Sequence, residues 1–201
     1  MASKTWPEKL SDGIDAVAGK AVRKEVLQGV EDLSELDETN RARWVKRALD
    51  KMDALVPAVG DRYDIMTRCS CECALPLIDG FREDFRKNPD VDALLDKMYQ
   101  NPFYVRPRRE GNVIYFTKVA CHAEEFEKAQ TPTEKRYQYC HCDWVRALDP
   151  TERLSPTHCY CSAGWYKGIW EGILERPVKV EMVKSVMQGD DCCQFAVHLP
   201  E

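Results

Sequence analysis

Ten cysteines stand in the 201 residues: Cys69, Cys71 and Cys73, a single Cys121, Cys140 and Cys142, Cys159 and Cys161, and the adjacent Cys192 and Cys193. Nine of the ten lie within two positions of another, a clustering that cysteines serving as small core residues would not show. Cys140-x-Cys142 and Cys159-x-Cys161 offer four thiolates as two close pairs. Such a set can enclose Zn²⁺ tetrahedrally at Zn–S distances of about 2.3 Å. Softness alone does not separate zinc from an iron–sulfur cluster, so either cofactor suits these ligands. A one-residue spacer sends alternate side chains to opposite faces of a strand, so both sulfurs of a pair converge only where the backbone bends. His141 and His158 sit beside the pairs and are candidates to replace a thiolate or to donate to one.

Cys69, Cys71 and Cys73 form a second candidate metal group. On a helix Cys69 and Cys73 fall at i and i+4 on one face, with Cys71 turned away. Cys121, followed by His122, could complete that group. The vicinal Cys192–Cys193 falls on a predicted final strand, where Cys193 shares a face with Phe195 and Val197. Cys193 is then a core thiol, or one that lines an internal pocket with Trp165, Tyr166 and Phe195. Reduced packed thiols and redox or metal-transfer thiols are the rival readings of the whole set. A hydrolytic reading needs three protein ligands and an open position, where a bound water's pKa falls to about 7. His141, His158 and Asp143 are then the candidates for proton transfer.

The elements that must carry these residues are helical in the first hundred positions. Residues 8–31 read as two short helices interrupted by Gly13, Gly19 and Gly29. Asp37 or Thr39 caps the next helix, where Trp44, Val45, Ala48, Leu49, Met52 and Leu55 recur at three- and four-residue spacing. Pro57 and Gly60 end it, and a further helix starts at Asp61. Leu77–Arg86 and Val91–Tyr99 are two more, with Asn101-Pro102 as a stop. Beyond residue 102 the period changes. Segments 103–106 and 113–119 flank the turn-rich Arg108–Asn112 as a hairpin, and residues 123–137 are helical or looped. A short helix over Gly164–Leu174 carries Trp165, Ile169 and Ile173 on one stripe. Val178, Val180 and Met182 then alternate into a strand that turns at Gln188–Asp191 and returns through Cys193, Phe195, Val197 and Leu199.

The C-terminal block Cys159-Tyr-Cys-Ser-Ala-Gly-Trp, Pro177-Val-Lys-Val-Glu and Gly189-Asp-Asp-Cys-Cys-Gln-Phe resembles the 4-vinyl-reductase-type ligand-binding domains. It is also similar to the related L-2-amino-thiazoline-4-carboxylate hydrolase family. The shared motif, Gly-Asp-x-x-Cys-x-Phe, falls here on Gly189, Asp190, Cys193 and Phe195. The resemblance covers residues 100–200 and implies an antiparallel sheet with helices on one side, a small-molecule pocket and, in some members, zinc. One branch hydrolyses a cyclic amidine. The Cys-x-Cys pairs of this chain are a departure from the general family pattern.

Lys and Arg number 29 against 34 Asp and Glu, a formal charge of −5 that offers no basic face for nucleic acid. No apolar run has the roughly 18 residues of a membrane span, and the first residues lack an apolar signal segment, which points to the cytoplasm. No Gly-rich phosphate loop, G-x-S-x-G elbow or H-E-x-x-H helix is present. The expected fold class is α+β, a helical N-terminal half packed on a C-terminal antiparallel sheet with helices on one side. Residues 1–100 form the helical region and 101–201 the α/β ligand-binding region, or the two share one core. The expected function is a Cys-rich small-molecule-binding module with a zinc or iron–sulfur site. Its expected partner is a small-molecule ligand, without nucleic acid or membrane, and a homodimer is compatible with it. Arg106, Arg108 and Arg109 read as a solvated basic spot.

Overall fold

The structure, a computed structural model, describes residues 4–73, 75–100 and 105–200, without the side chain of Leu75. In chain order its elements are α1 (Trp6–Val17), α2 (Gly19–Val26), α3 (Glu38–Leu55), α4 (Val59–Thr67), α5 (Leu75–Lys87) and α6 (Val91–Met98). After these come β1 (Arg108–Glu110), β2 (Val113–Thr117), α7 (Ala123–Lys128), α8 (Pro132–Tyr139), α9 (Asp143–Arg146), α10 (Tyr160–Leu174), β3 (Lys179–Lys184) and β4 (Gln194–His198). Short 3₁₀ turns cover Val30–Glu35 and Pro156–Cys159. The chain is α+β, as its periodicities predict. Among the described residues no helix is long and apolar enough to cross a membrane.

The chain forms two compact units, and each draws on separated stretches of sequence. The first comprises residues 1–69 and 120–161, the second residues 70–119 and 162–201.

The first unit is helical. Asp37 caps α3 by accepting the Asn40 N–H at 2.8 Å, and the α3 stripe Ala42, Val45, Ala48, Leu49 and Met52 is buried. Leu55, expected on that stripe, is exposed at the last position of the helix. Gly13 does not interrupt α1 but lies inside it. A Cβ there would meet the Ile65 carbonyl oxygen at 3.0 Å, so the missing side chain lets α1 and α4 approach closely. Gly60 likewise falls inside α4, which starts at Val59 rather than Asp61.

The second unit holds a four-stranded antiparallel sheet in the order β1-β2-β4-β3. Ile114 pairs with Val197 and Phe116 with Phe195, while Val180 and Met182 face the same two residues from β3. Period-two alternation puts this set on one face, buried except at the half-buried Met182. The first hairpin differs from its expected layout. Arg108–Glu110, read as turn, is strand β1, paired with Val113–Tyr115. The reversal is left to Gly111 and Asn112, where Gly111 takes the positive φ of 58° that favours glycine. Phe103, Tyr104 and the expected Asn101-Pro102 stop lie outside the described residues.

Helix α10 begins at Tyr160, four residues earlier than expected, because Ser155 caps the preceding turn by accepting the Thr157 N–H. Its buried stripe is Ala163, Tyr166, Trp170 and Ile173, not Trp165 and Ile169. Tyr166 lies between Phe116 and Phe195 with ring centroids 5.0 Å from each, and Trp170 lies 6.2 Å from Phe116. These tilted pairs fill the space between α10 and the sheet.

Candidate thiolate–imidazole site

In the first unit, Asp53 near the end of α3 accepts hydrogen bonds from the hydroxyls of Ser155 and Thr157, the latter at 2.7 Å. Both hydroxyl residues are buried, and a carboxylate that takes two of them fixes the 3₁₀ turn against the helix. That turn aims His158 inward, with 5% of its surface exposed. The Nε2 atom lies 3.1 Å from Cys142 Sγ and 3.9 Å from Cys161 Sγ. Cys142 occupies the position just before α9, and Cys161 sits in the first turn of α10. The indole of Trp6 lies 6.0 Å from the imidazole and 6.1 Å from Trp144, so aromatic rings wall one side. The Nδ1 atom of His158 is buried without a hydrogen-bond partner.

Cys69 belongs to the same unit, just past the end of α4, with its thiol directed to the Ile65 carbonyl at 3.6 Å. Burial pushes this thiol up to about 12, and the neighbouring Cys161 pushes it further in the same direction. Cys69 therefore stays protonated at neutral pH unless a cation joins it.

One member of each Cys-x-Cys pair thus meets one histidine. Cys140, the partner of Cys142, is buried at the C-cap of α8 near Arg136, and Cys159 is half-buried in the 3₁₀ turn. His141 is half-buried between α8 and α9, and Asp143 is exposed at the first position of α9. Cys121 is exposed, its N–H bound to the Tyr139 carbonyl at 3.2 Å. As the side chains stand, no group of three or more His, Cys, Asp or Glu among the described residues could hold a metal ion.

The helical reading of Cys69, Cys71 and Cys73 is overturned. Helix α4 ends at Thr67, so no i, i+4 face exists there. Cys69 is buried in the first unit, whereas Cys71 and Cys73 are exposed in the second.

In the second unit Tyr166 and Phe195 are core residues, and Trp165 packs edge-on to Tyr166 with centroids 5.1 Å apart. Burial raises the Cys193 thiol's pKa, against the pull of the Val186 amide, Lys118 and Ser185. Cys192 is pushed up to about 11 by burial and by Asp191. The three arginines beside the hairpin are ion-paired rather than free. Arg106 meets Asp96 at 2.5 Å, Arg109 meets Asp92 at 3.0 Å, and Arg108 meets Glu110. Asp92, Leu95, Asp96, Arg106, Pro107 and Arg109 line an open cleft of about 200 Å³.

Sequence reasoning missed Asp53, which is more than a hundred positions from the hydroxyls it binds. It also missed Arg136, which is 6% exposed and whose charge burial disfavours. Nothing in the local pattern marks either one, because an Asp or Arg on a helix normally reads as solvated surface.

Residues 120–201 match the model of a family of unknown function, DUF6144. The chain is also 44% identical over 118 residues to an uncharacterised protein of Methanocaldococcus jannaschii, which covers 57% of this chain and 61% of that protein. The matched region therefore spans less than two thirds of the archaeal relative. No solved structure matches the chain. Neither match bears on the resemblance to the vinyl-reductase-type domains.

Proposed function

We propose that this chain is a metal-binding protein that holds a zinc ion in its first unit through Cys142, His158 and Cys161, with Cys69 as the fourth donor. The observation that carries the reading is the approach of two thiols to one imidazole nitrogen, at 3.1 and 3.9 Å. A tetrahedral ion with legs of about 2.0–2.3 Å separates its nitrogen and sulfur ligands by roughly 3.6 Å, between the two observed values. A modest rotation of Cys142 and Cys161, with the Cys69 sulfur turned in, would close the set. A closed four-ligand set of this kind is structural, tying the end of α4 and the start of α9 to the start of α10. If Cys69 stays out, three ligands and an open position give the hydrolytic arrangement instead. The cleft between Asp92 and Arg109 in the second unit is where a small-molecule ligand is proposed. Its alternating acids and guanidiniums suit a small zwitterion.

The test is metal analysis and a visible spectrum of protein purified without oxygen. The expected result is about one zinc per chain with no visible band, lost in Cys142→Ser and in His158→Ala. Loss of the ion should lower the thermal midpoint by roughly 10 °C. Cobalt substitution then separates a closed set from an open one. Iron with a band near ~400 nm would replace zinc by a cluster. Zinc retained in His158→Ala but lost in both Cys140→Ser and Cys159→Ser would move the ion to the four-thiolate set. Well-folded protein without metal would defeat the reading.

A further inference from the structure

Cys71 and Cys73 differ from the other clustered thiols because both are exposed. They lie in the irregular segment before α5. The Cys73 N–H points at Cys71 Sγ, with nitrogen and sulfur 3.1 Å apart. The same contact holds the first sulfur beside the backbone of the second cysteine. A short exposed loop can absorb the backbone change that a bond between residues i and i+2 requires.

From this we propose that Cys71 and Cys73 form a reversible intramolecular disulfide, making the turn an exposed dithiol that exchanges with low-molecular-weight disulfides. The Cys71 thiolate attacks one sulfur of the external disulfide, an S–S bond forms, and the other half leaves as a thiolate. Cys73, as its thiolate, then attacks Cys71 Sγ, closes the protein disulfide and expels the second half. The protein dithiol loses two electrons and two protons, and the external disulfide is reduced to two thiols. Reduction by an external dithiol runs the same steps backwards. This chemistry does not use Cys69, Cys142, Cys161 or His158.

The test exposes reduced, full-length protein to rising glutathione disulfide, alkylates the remaining thiols and maps the tryptic peptide Cys69–Arg82 by fragmentation. The expected outcome is joint loss of Cys71 and Cys73 as free thiols without bound glutathione, reversed by dithiothreitol, while Cys69 is alkylated only after unfolding. In Cys73→Ser, Cys71 should instead carry a stable glutathione adduct, at least ~10-fold more abundant than in the wild type, because no neighbour resolves it. Equal adduct levels in wild type and variant would overturn the proposal. So would free thiols at both positions at the highest glutathione disulfide, or a disulfide joining Cys69. Zinc content is measured on the same samples. It should be unchanged in Cys73→Ser whatever the disulfide result, so the two proposals fail separately.

Discussion

The two units fill their interiors by different means. In the second, the largest buried side chains, Phe116, Tyr166, Trp170 and Phe195, meet one another between α10 and the sheet. In the first, the buried space also admits Arg136, Ser155, Thr157 and His158, and the only buried polar side chain in the second unit, among the described residues, is Ser185. Ser155 and Thr157 have their partner in Asp53 and Arg136 reaches the Pro150 carbonyl, while His158 keeps a buried nitrogen without one, so the first unit is organised by hydrogen bonds and soft donors as well as by apolar area. Dense apolar packing resists any change of volume. A polar interior resists loss of a partner and answers to pH and ions.

The largest effect should come from Phe116→Ala. Phe116 is 1% exposed and contacts both Tyr166 and Trp170, so a cavity opens in the middle of the aromatic cluster. The expected loss is about 3–5 kcal/mol, read by denaturant titration. A loss below ~1 kcal/mol would mean that the second unit is not held by this cluster.

In the first unit the matching experiment changes pH. Burial pushes the Cys69 thiol up to about 12, above its ordinary value of 9.0, so the native state keeps a proton that the unfolded chain gives up. The stabilisation is complete below pH 9 and is lost as pH rises toward 12, because the unfolded state then binds fewer protons. Three pH units correspond to about 4 kcal/mol. Metal-free protein kept in chelator should show this fall, and Cys69→Ala should flatten it. Zinc-loaded protein should reverse the pattern, holding at alkaline pH and losing its metal as acid protonates the thiolates. Identical profiles with and without zinc would remove Cys69 from the ligand set.

These two experiments fall on features that were unequally legible in the sequence. The β3–β4 pair could be read in advance because Val178, Val180 and Met182, then Cys193, Phe195 and Val197, keep a strict period of two. A buried sheet face needs that period whatever packs on it. The α3 stripe was legible for the same reason at period 3.6. The helical Cys69–Cys73 face failed because a spacing compatible with a helix does not supply one. Ser70 and the cysteines themselves carry no strong helical preference, and α4 stops at Thr67. At the site, the clustering of thiols and the presence of His158 could be read. The choice of one thiol from each pair could not, since it depends on the Asp53 anchor, a contact between distant parts of the chain.

A pair of glycines sharpens the comparison at smaller energies. A Cβ on Gly172 in α10 would meet Ile78 Cγ2 at 2.7 Å, and one on Gly13 in α1 would meet the Ile65 carbonyl oxygen at 3.0 Å. Overpacking of about 1–3 kcal/mol is partly offset in each helix by the ~1 kcal/mol that alanine gains over glycine. A net loss near ~1–2 kcal/mol is expected for each. The double mutant tells them apart. Ile78→Ala removes the obstructing methyl, so Gly172→Ala in that background should recover at least ~0.5 kcal/mol of coupling. Ile65→Ala leaves the backbone oxygen in place and should recover less at Gly13. Equal rescue at both positions would mean that the close approach in the first unit yields as readily as side-chain packing does.

The smallest effect in this series is local to one helix end and tests whether the first unit behaves as one cooperative body. Asp37→Ala removes the acceptor of the Asn40 N–H and of its side-chain amide at 3.0 Å, leaving the α3 N-terminus uncapped. The cost should be about 1 kcal/mol. Asp53 lies on the same helix and anchors the turn that carries His158. If α3 frays only at its start, hydrogen exchange should speed up over the first turn alone, and zinc content should be unchanged. If the helix and the site open together, exchange should rise along α3 as far as Asp53 and zinc should dissociate measurably faster. The first outcome makes the site a local clasp on a stable helix. The second makes the helix cap part of what holds the metal.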